Sequence, residues 1–414
     1  ENVQQISREQ RSEGWGVDFG GETARTLRTD VAYRPSIFSW LRTDFDWTTV
    51  YQSDRNTNFI EQSIQLADTM MTLTQNAQGQ RDWGGTVSLS PSALAVSWFG
   101  SSVEEEDDGI AQLRSILSAI RPLSATYRDG ITSRFNRDPV DPRFDYQLGF
   151  CGRDRYRFVD ADTAATLTDR ASWRLSSGVG LPGGAGLQVG YLWSDSETLD
   201  IRSDRNTRQK TWPDVQATFP AIRLPSFTGI RSINLSSGIV RTEREITFGG
   251  RALQRRFDSD LQVPLDVSVQ WLRTLVTAYR GAWRDGTGVD PTGDTERQER
   301  NHQISLNTQL LLLGGLASSL DRPISLSIIG TYRSELNCRV TVAGEECVPF
   351  IDQVLRTLSL QADTSLRGFS FGLRVSYDDR QSFVGQRTGS TQFQVGLFGQ
   401  LDFGTADFPI GPVR

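Results

Sequence analysis

Histidine and cysteine are scarce in this sequence, whose 414 residues hold one His and three Cys. That leaves no ligand set for a zinc finger, a histidine-rich metal centre or an iron–sulfur cluster, so no cofactor is expected. Lysine is nearly missing: Lys210 is the one lysine among 44 basic residues. No lysine follows a Gly-rich loop, as a Walker-type phosphate site would need. Neither sign of charge dominates, since 44 basic and 50 acidic residues give a net charge of -6 and both are scattered along the chain. No basic face is set aside for a phosphate backbone, which argues against nucleic acid as a partner. Long apolar runs are missing as well. The longest, Leu310 to Ala317, has eight residues including two glycines, where a membrane-spanning helix needs about 20. The chain opens on Glu1 without a charged, apolar leader, as expected of a cleaved product or a piece of something longer.

What is present is a period of two, the strand period. Leu41, Phe45, Trp47 and Tyr51 alternate with Arg42, Asp44, Asp46 and Thr48. Leu187, Val189, Tyr191 and Trp193 alternate with Gln188, Gly190 and Ser194. Phe369, Phe371, Leu373, Val375 and Tyr377 alternate with Ser370, Gly372, Arg374, Ser376 and Asp378. Phe393, Val395, Leu397, Leu401 and Phe403 alternate with Gln392, Gln394, Gly396, Gln400 and Asp402. Strands of a soluble sandwich usually run about 5 or 6 residues, whereas these run about 10 or more. A transmembrane barrel strand needs roughly 9 to 11 tilted residues, apolar toward lipid and polar toward the lumen. The expected fold is therefore all-β, a transmembrane antiparallel β-barrel of the outer-membrane type or a large segment of one. The barrel region is read as 1–403, with a tail at 404–414. Trp271, Tyr279 and Trp283, read on one strand over 263–283, are spaced for two interfacial aromatic girdles.

In the last third, strands are expected near 302–317, 324–334, 353–366, 369–378 and 391–403. Gly286 to Asn301, the stretch holding Cys338 and Cys347, and Asp379 to Ser390 read as long loops. Asp321–Pro323 and Arg367–Gly368 read as short turns, the alternation of bacterial barrels. This grammar puts the last strand running toward the periplasm. That strand resembles the C-terminal insertion signal of outer-membrane barrels in Gly396, Leu401 and Phe403, although eleven residues follow Phe403. The barrel-assembly machinery is its expected partner, with outer-membrane lipid around the barrel.

One helical insert is expected at about 103–121. Glu104 to Asp108 precede Ile110, Leu113, Ile116, Leu117 and Ile120, and Pro122 stops the run. The apolar stripe is expected to pack on the barrel rim. Gly178 to Gly183 matches a dinucleotide fingerprint, but Pro182 and the strand that follows leave no helix N-terminus for a pyrophosphate, so the glycines read as a turn. An enzymatic reading would have to use His302 as base. No Gly-x-Ser-x-Gly elbow accompanies it, and no catalytic function is expected.

The stretches Trp212 to Phe219, Ser232 to Gly238, Arg121 to Arg128 and Asp379 to Phe383 resemble the C-terminal part of the SprA/Sov family, the very long outer-membrane translocons of the type IX secretion system. The resemblance implies a segment of a protein-conducting barrel, with secreted protein cargo and other secretion-system subunits as partners. A self-contained porin or solute transporter is the alternative.

Two residue-level expectations follow. Arg42, Asp44, Asp46, Gln188, Arg374, Asp378, Gln392 and Gln394 should face a lumen, with their odd-even neighbours facing lipid. Cys338 and Cys347 flank a possible turn at Ala343–Gly344 and should form a disulfide in the oxidising envelope, with Cys151 unpaired.

Overall fold

A computed structural model of the chain describes residues 5–7, 13–14, 17–18, 21–35, 37–54, 75–99, 108–138, 142–159, 162–200, 203–223, 225, 229–249, 254–271, 274–310, 323–340, 346–366 and 369–401. Sixteen strands form one sheet. They are β1 (Gln5–Ser7), β2 (Gly21–Tyr33), β3 (Leu41–Asp54), β4 (Gln75–Leu89), β5 (Leu123–Asp138), β6 (Thr166–Gly180), β7 (Gly186–Asp200), β8 (Asp204–Ile222), β9 (Ser232–Gly249), β10 (Gln254–Gln270), β11 (Val276–Asp290), β12 (Gly293–Leu310), β13 (Ile324–Val340), β14 (Val348–Leu366), β15 (Phe369–Ser382) and β16 (Thr388–Leu401). Their order in the sheet is their order in the chain. The registered ladders are all antiparallel. This is the all-β architecture of an outer-membrane type barrel or a large segment of one. By contact the chain divides into two units, one of Glu1–Val179, Val189–Trp212 and Thr242–Phe257, the other of Gly180–Gln188, Pro213–Arg241 and Asp258–Arg414.

Helices differ from the expectation of a single insert. Besides α2 (Asp108–Ala119), the structure has α1 (Pro91–Phe99) and two short helices, α3 (Phe144–Gln147) and α4 (Arg153–Arg157). The signal for α1 was Ser90-Pro91, a cap-forming residue followed by the proline favoured at the first helical position. Its apolar residues lack a helical stripe, so periodicity passed over it. The expected packing of the α2 stripe is met only in part: Leu117 and Ile120 are half-buried, whereas Leu113 and Ile116 are exposed.

The first unit buries its core between the odd-numbered face of β3–β6 and the insert that carries α3 and α4. Tyr51, Gly79, Ser133 and Leu167 are register partners on four successive strands and form one rung. Tyr146 of α3 docks on this rung. Its hydroxyl is 2.6 Å from Ser133 Oγ, and its ring meets Tyr51 edge-on at 6.0 Å and lies 4.9 Å from Tyr156. A side chain at Gly79 would collide with the Tyr146 ring, its Cβ falling 2.6 Å from Cζ. Ile131, Phe135, Cys151, Tyr156 and Val159 complete the cluster. Each large apolar side chain buried in this way contributes roughly 1.5–3 kcal/mol.

The insert is held from the sheet side as well. Arg81 donates from Nη1 to the Cys151 carbonyl at 3.1 Å and from Nη2 to Asp129 at 3.2 Å, while Phe150 stacks on Trp47 at 5.7 Å. Gly149 makes the turn between these contacts at φ 74°. Gly149→Ala should loosen the insert, because a methyl there would strike the Thr49 methyl and a non-glycine residue at this φ costs about 1–3 kcal/mol. Limited proteolysis within residues 139–165 should speed up while the strand content seen by circular dichroism stays constant. Unchanged cleavage would contradict the packing described.

Candidate functional site

Opposed residues of an antiparallel ladder share a face, so the registers sort every strand of the last third into two sides. On one side of β12–β16 lie Ile304 and Leu306, Leu326 and Ile328, Leu358, Leu360 and Ala362, Leu373 and Val375, then Val395 and Leu397. Ile304, Leu358, Val395 and Leu397 are exposed, Leu397 to 84%, and the other side chains of this side are half-buried against one another. A continuous apolar surface that stays partly open in this way marks contact with lipid or protein.

Aromatic rings border the aliphatic band on both edges. Along one edge run Tyr279, Trp283, His302, Tyr332, Tyr377 and Phe393, and along the other Phe369 and Phe371, stacked at 6.1 Å. Phe369 and Tyr377 are eight residues apart on β15. At about 3.3 Å per residue and a tilt near 40°, that puts roughly 20 Å between the two rows. The first row is thus carried by several strands, whereas Phe369 and Phe371 both lie on β15. The single-strand girdle expected over 263–283 is overturned, because β10 ends at Gln270 and the chain turns before β11, with Trp271 N–H donating to the Leu275 carbonyl at 3.0 Å.

His302 sits within the first row, in the middle of β12 rather than at a strand entry. Its Nδ1 is 2.8 Å from the Tyr279 hydroxyl, and the rings of Trp283 and Tyr332 lie 5.2 and 6.0 Å away. This is a ring of interfacial character built around a hydrogen-bonded imidazole.

The opposite face is mainly polar, although Ile329 and Phe398 also lie on it. Arg374 pairs in register with Gln361 and Gly396, Ser376 with Gln394, and Asp378 with Gln392. Arg374, Asp378, Gln392, Gln394 and Gly396 therefore share one side, where Arg374 donates to Gln361 at 3.1 Å. In the first unit, Arg42, Asp44 and Asp46 likewise share a face of β3. Asp44 forms ion pairs there with Arg42 at 3.2 Å and Arg34 at 3.5 Å. Gln188 is exposed on β7. Leu401 pairs with Phe369 at the end of β16, and Phe403 lies outside the described residues.

Beyond the aromatic row the strands continue instead of ending. Residues 286–301, expected as a loop, are the paired ends of β11 and β12, joined only by Pro291 and Thr292. The first of the expected long loops is thus a tight turn, and the expected alternation of loop lengths does not hold there; the end of the expected strand 302–317 and Asp321–Arg322 of the expected short turn lie outside the described residues. Both faces of this overhang are polar, which erased the two-residue pattern without removing the strand. Ion pairs tie it together: Arg300–Asp285 at 2.8 Å, Arg333–Glu299 at 3.0 Å and Arg339–Asp290 at 3.6 Å. Cys338 and Cys347 form a disulfide across the tip of β13–β14 with Cα atoms 5.4 Å apart. In a chain-entropy account so short a loop adds roughly 2–3 kcal/mol.

Cys151 is free and buried. Burial pushes its thiol up to about 11, and burial likewise raises the phenols of Tyr146 and Tyr156. A raised value means that folding favours the protonated form. This stabilisation is complete below the ordinary thiol value and is lost as pH climbs through the folded one. Thiol-specific labelling should therefore find no reactive group in the native chain at neutral pH, one after denaturation without reductant, and three after reduction. Labelling of native Cys151 should rise above pH ~10 as the insert loosens. Three reactive thiols without reductant would remove the disulfide.

No family model matches the sequence, and no curated protein matches it. Solved structures with a similar fold include the ferric enterobactin receptor PfeA, crystallised with BCV-L6, at 7% identity and a TM-score of 0.40, covering 98% of this chain and 73% of that one. The alcaligin outer membrane receptor FauA of Bordetella pertussis follows at 9% identity and TM-score 0.33, covering 90% of this chain and 64% of that one. The ferripyoverdine receptor of the outer membrane of Pseudomonas aeruginosa, bound to ferripyoverdine, gives 10% and 0.38, covering 92% of this chain and 58% of that one.

Proposed function

We propose that the chain is an integral β-barrel protein of the bacterial outer membrane, or a large segment of one, whose polar face lines a watery path for hydrophilic solutes. The observation that carries this is the aliphatic band of β12–β16, bounded on one edge by an aromatic row across several strands and on the other by Phe369 and Phe371. Such a band costs free energy in water and gains it in hydrocarbon, and its height approaches the roughly 25 Å apolar belt of outer-membrane barrels. In this reading Arg42, Asp44, Asp46, Gln188, Arg374, Asp378, Gln392 and Gln394 face the lumen. The overhang with its disulfide stands on the cell-surface side, and β16 is the strand that the barrel-assembly machinery engages.

A second reading, a part of the type IX translocon that passes secreted proteins, is supported by the family resemblance. Its segments fall on β5, β8, β9 and β15. Cross-linking in cells that captures a secreted protein on the polar face would favour it over solute transport.

The face assignment has a direct test. Leu373→Arg and Val375→Arg should block membrane assembly, since a charge on the lipid face costs about 2–4 kcal/mol at the midplane. Ser376→Arg, on the opposite face of the same strand, should assemble normally. The readouts are the membrane fraction and the heat-dependent gel mobility of folded barrels; equal behaviour of the three variants would defeat the assignment.

A further inference from the structure

On the polar face of β3–β6, two triplets run across the strands with the same composition. Asp46, Gly84, Arg128 and Ser172 are successive register partners, as are Asp82, Gly130 and Arg170. Each places a carboxylate and a guanidinium on either side of a bare glycine, two strands apart, with about 9–10 Å between their backbones. At Gly84 a Cβ would lie 3.1 Å from Arg128 Cγ and 3.6 Å from Asp46 Oδ1, so the two side chains lean over the glycine from opposite sides. At Gly130 the Asp82 carboxylate itself covers the glycine. Neither acid forms an ion pair with either arginine among the described residues; Asp82 accepts from Gln80 at 2.5 Å.

The charged residues of both triplets line one cavity of about 620 Å³, together with Gly130, Thr48, Thr132, Thr168 and Ser172; a third acid of the lining, Asp129, is paired with Arg81. This volume lies within the roughly 300–1,000 Å³ of small-molecule sites. Separated charges of both signs around a polar hollow would be satisfied by a ligand that carries both.

We infer that this furrow binds compact zwitterions, free amino acids or short peptides, with the ammonium toward Asp46 and Asp82 and the carboxylate toward Arg128 and Arg170. The inference rests on the reading of the polar face as a solute path and names the class of solute. Arginine suits the carboxylate end because its planar fork takes both oxygens at once. The acids, unpaired with these arginines, supply acceptors that a simple anion site would lack. Doubling the triplet gives two adjoining positions, which suits a solute handed along the face.

The test is direct binding to the full chain folded in detergent, followed by saturation-transfer NMR with L-alanine, propionate and ethylamine as probes. L-alanine should bind about tenfold or more tighter than either half-molecule, and Arg128→Gln, Arg170→Gln, Asp46→Asn or Asp82→Asn should each weaken it by a similar factor. Gly130→Ala should weaken it too while leaving the fold intact, because the clash is with the end of a movable side chain. Propionate or inorganic phosphate binding as tightly as L-alanine would overturn the inference in favour of an anion site. Absence of binding by a chain that keeps its folded gel mobility would also overturn it. Either result leaves the lipid-face variants, and with them the barrel reading, untouched.

Discussion

Every other feature of this protein depends on unbroken antiparallel backbone pairing. A segment that meets hydrocarbon must satisfy each N–H and C=O internally, and long ladders from β2 to β6 and from β11 to β16 do so. Register then decides chemistry, because a slip by one residue would carry every Leu and Val of a strand to the polar side and every Arg and Asp to the apolar one. Within the second unit the aliphatic side runs on over five consecutive strands, which makes the band a property of the sheet and not of any one segment.

Where the two-sided pattern is broken, a local structure takes over. In the first unit the odd-numbered face carries Phe45, Trp83, Tyr127 and Trp173 in a chain of ring contacts. Toward the other end of the same strands it is capped by the α3–α4 insert. Arg81 is the hinge of this change, since its guanidinium lies 5.8 Å from the rings of both Trp47 and Tyr156 while bonding to Asp129 and the insert backbone. A half-buried cation of this kind is tolerable because a carboxylate and two aromatic faces surround it.

The overhang of β11–β14 shows the same pairing in a wet setting. With charges on both faces, stability comes from cross-strand ion pairs and hydrogen bonds such as Gln353 to Glu335 at 3.0 Å, each worth less than about 1 kcal/mol. The Cys338–Cys347 bridge closes the tip covalently. The furrow proposed for zwitterions belongs to a third setting, a polar face whose charges have separated across glycines.

The all-β class, the apolar and polar partners of β3, β15 and β16, and the cysteine pair were legible in the sequence, because alternation with period two and a short Cys spacing are local properties. The ends of β11 and β12 were not, since alternation vanishes where both faces are polar and only a cross-strand partner reveals the strand. Helix α1 escaped for the converse reason: its residues are nearly uniform in polarity, and its boundaries are set by Ser90-Pro91 and not by a stripe. His302 read as a rim residue and lies in an aromatic row, because Tyr279, Trp283 and Tyr332 reach it from neighbouring strands. Only the tertiary structure decided the docking of Tyr146 on Gly79 and Ser133 and the facing of Asp46 and Asp82 to Arg128 and Arg170. Those meetings join residues far apart in the chain, and register, a relation between strands, is written in no single one of them.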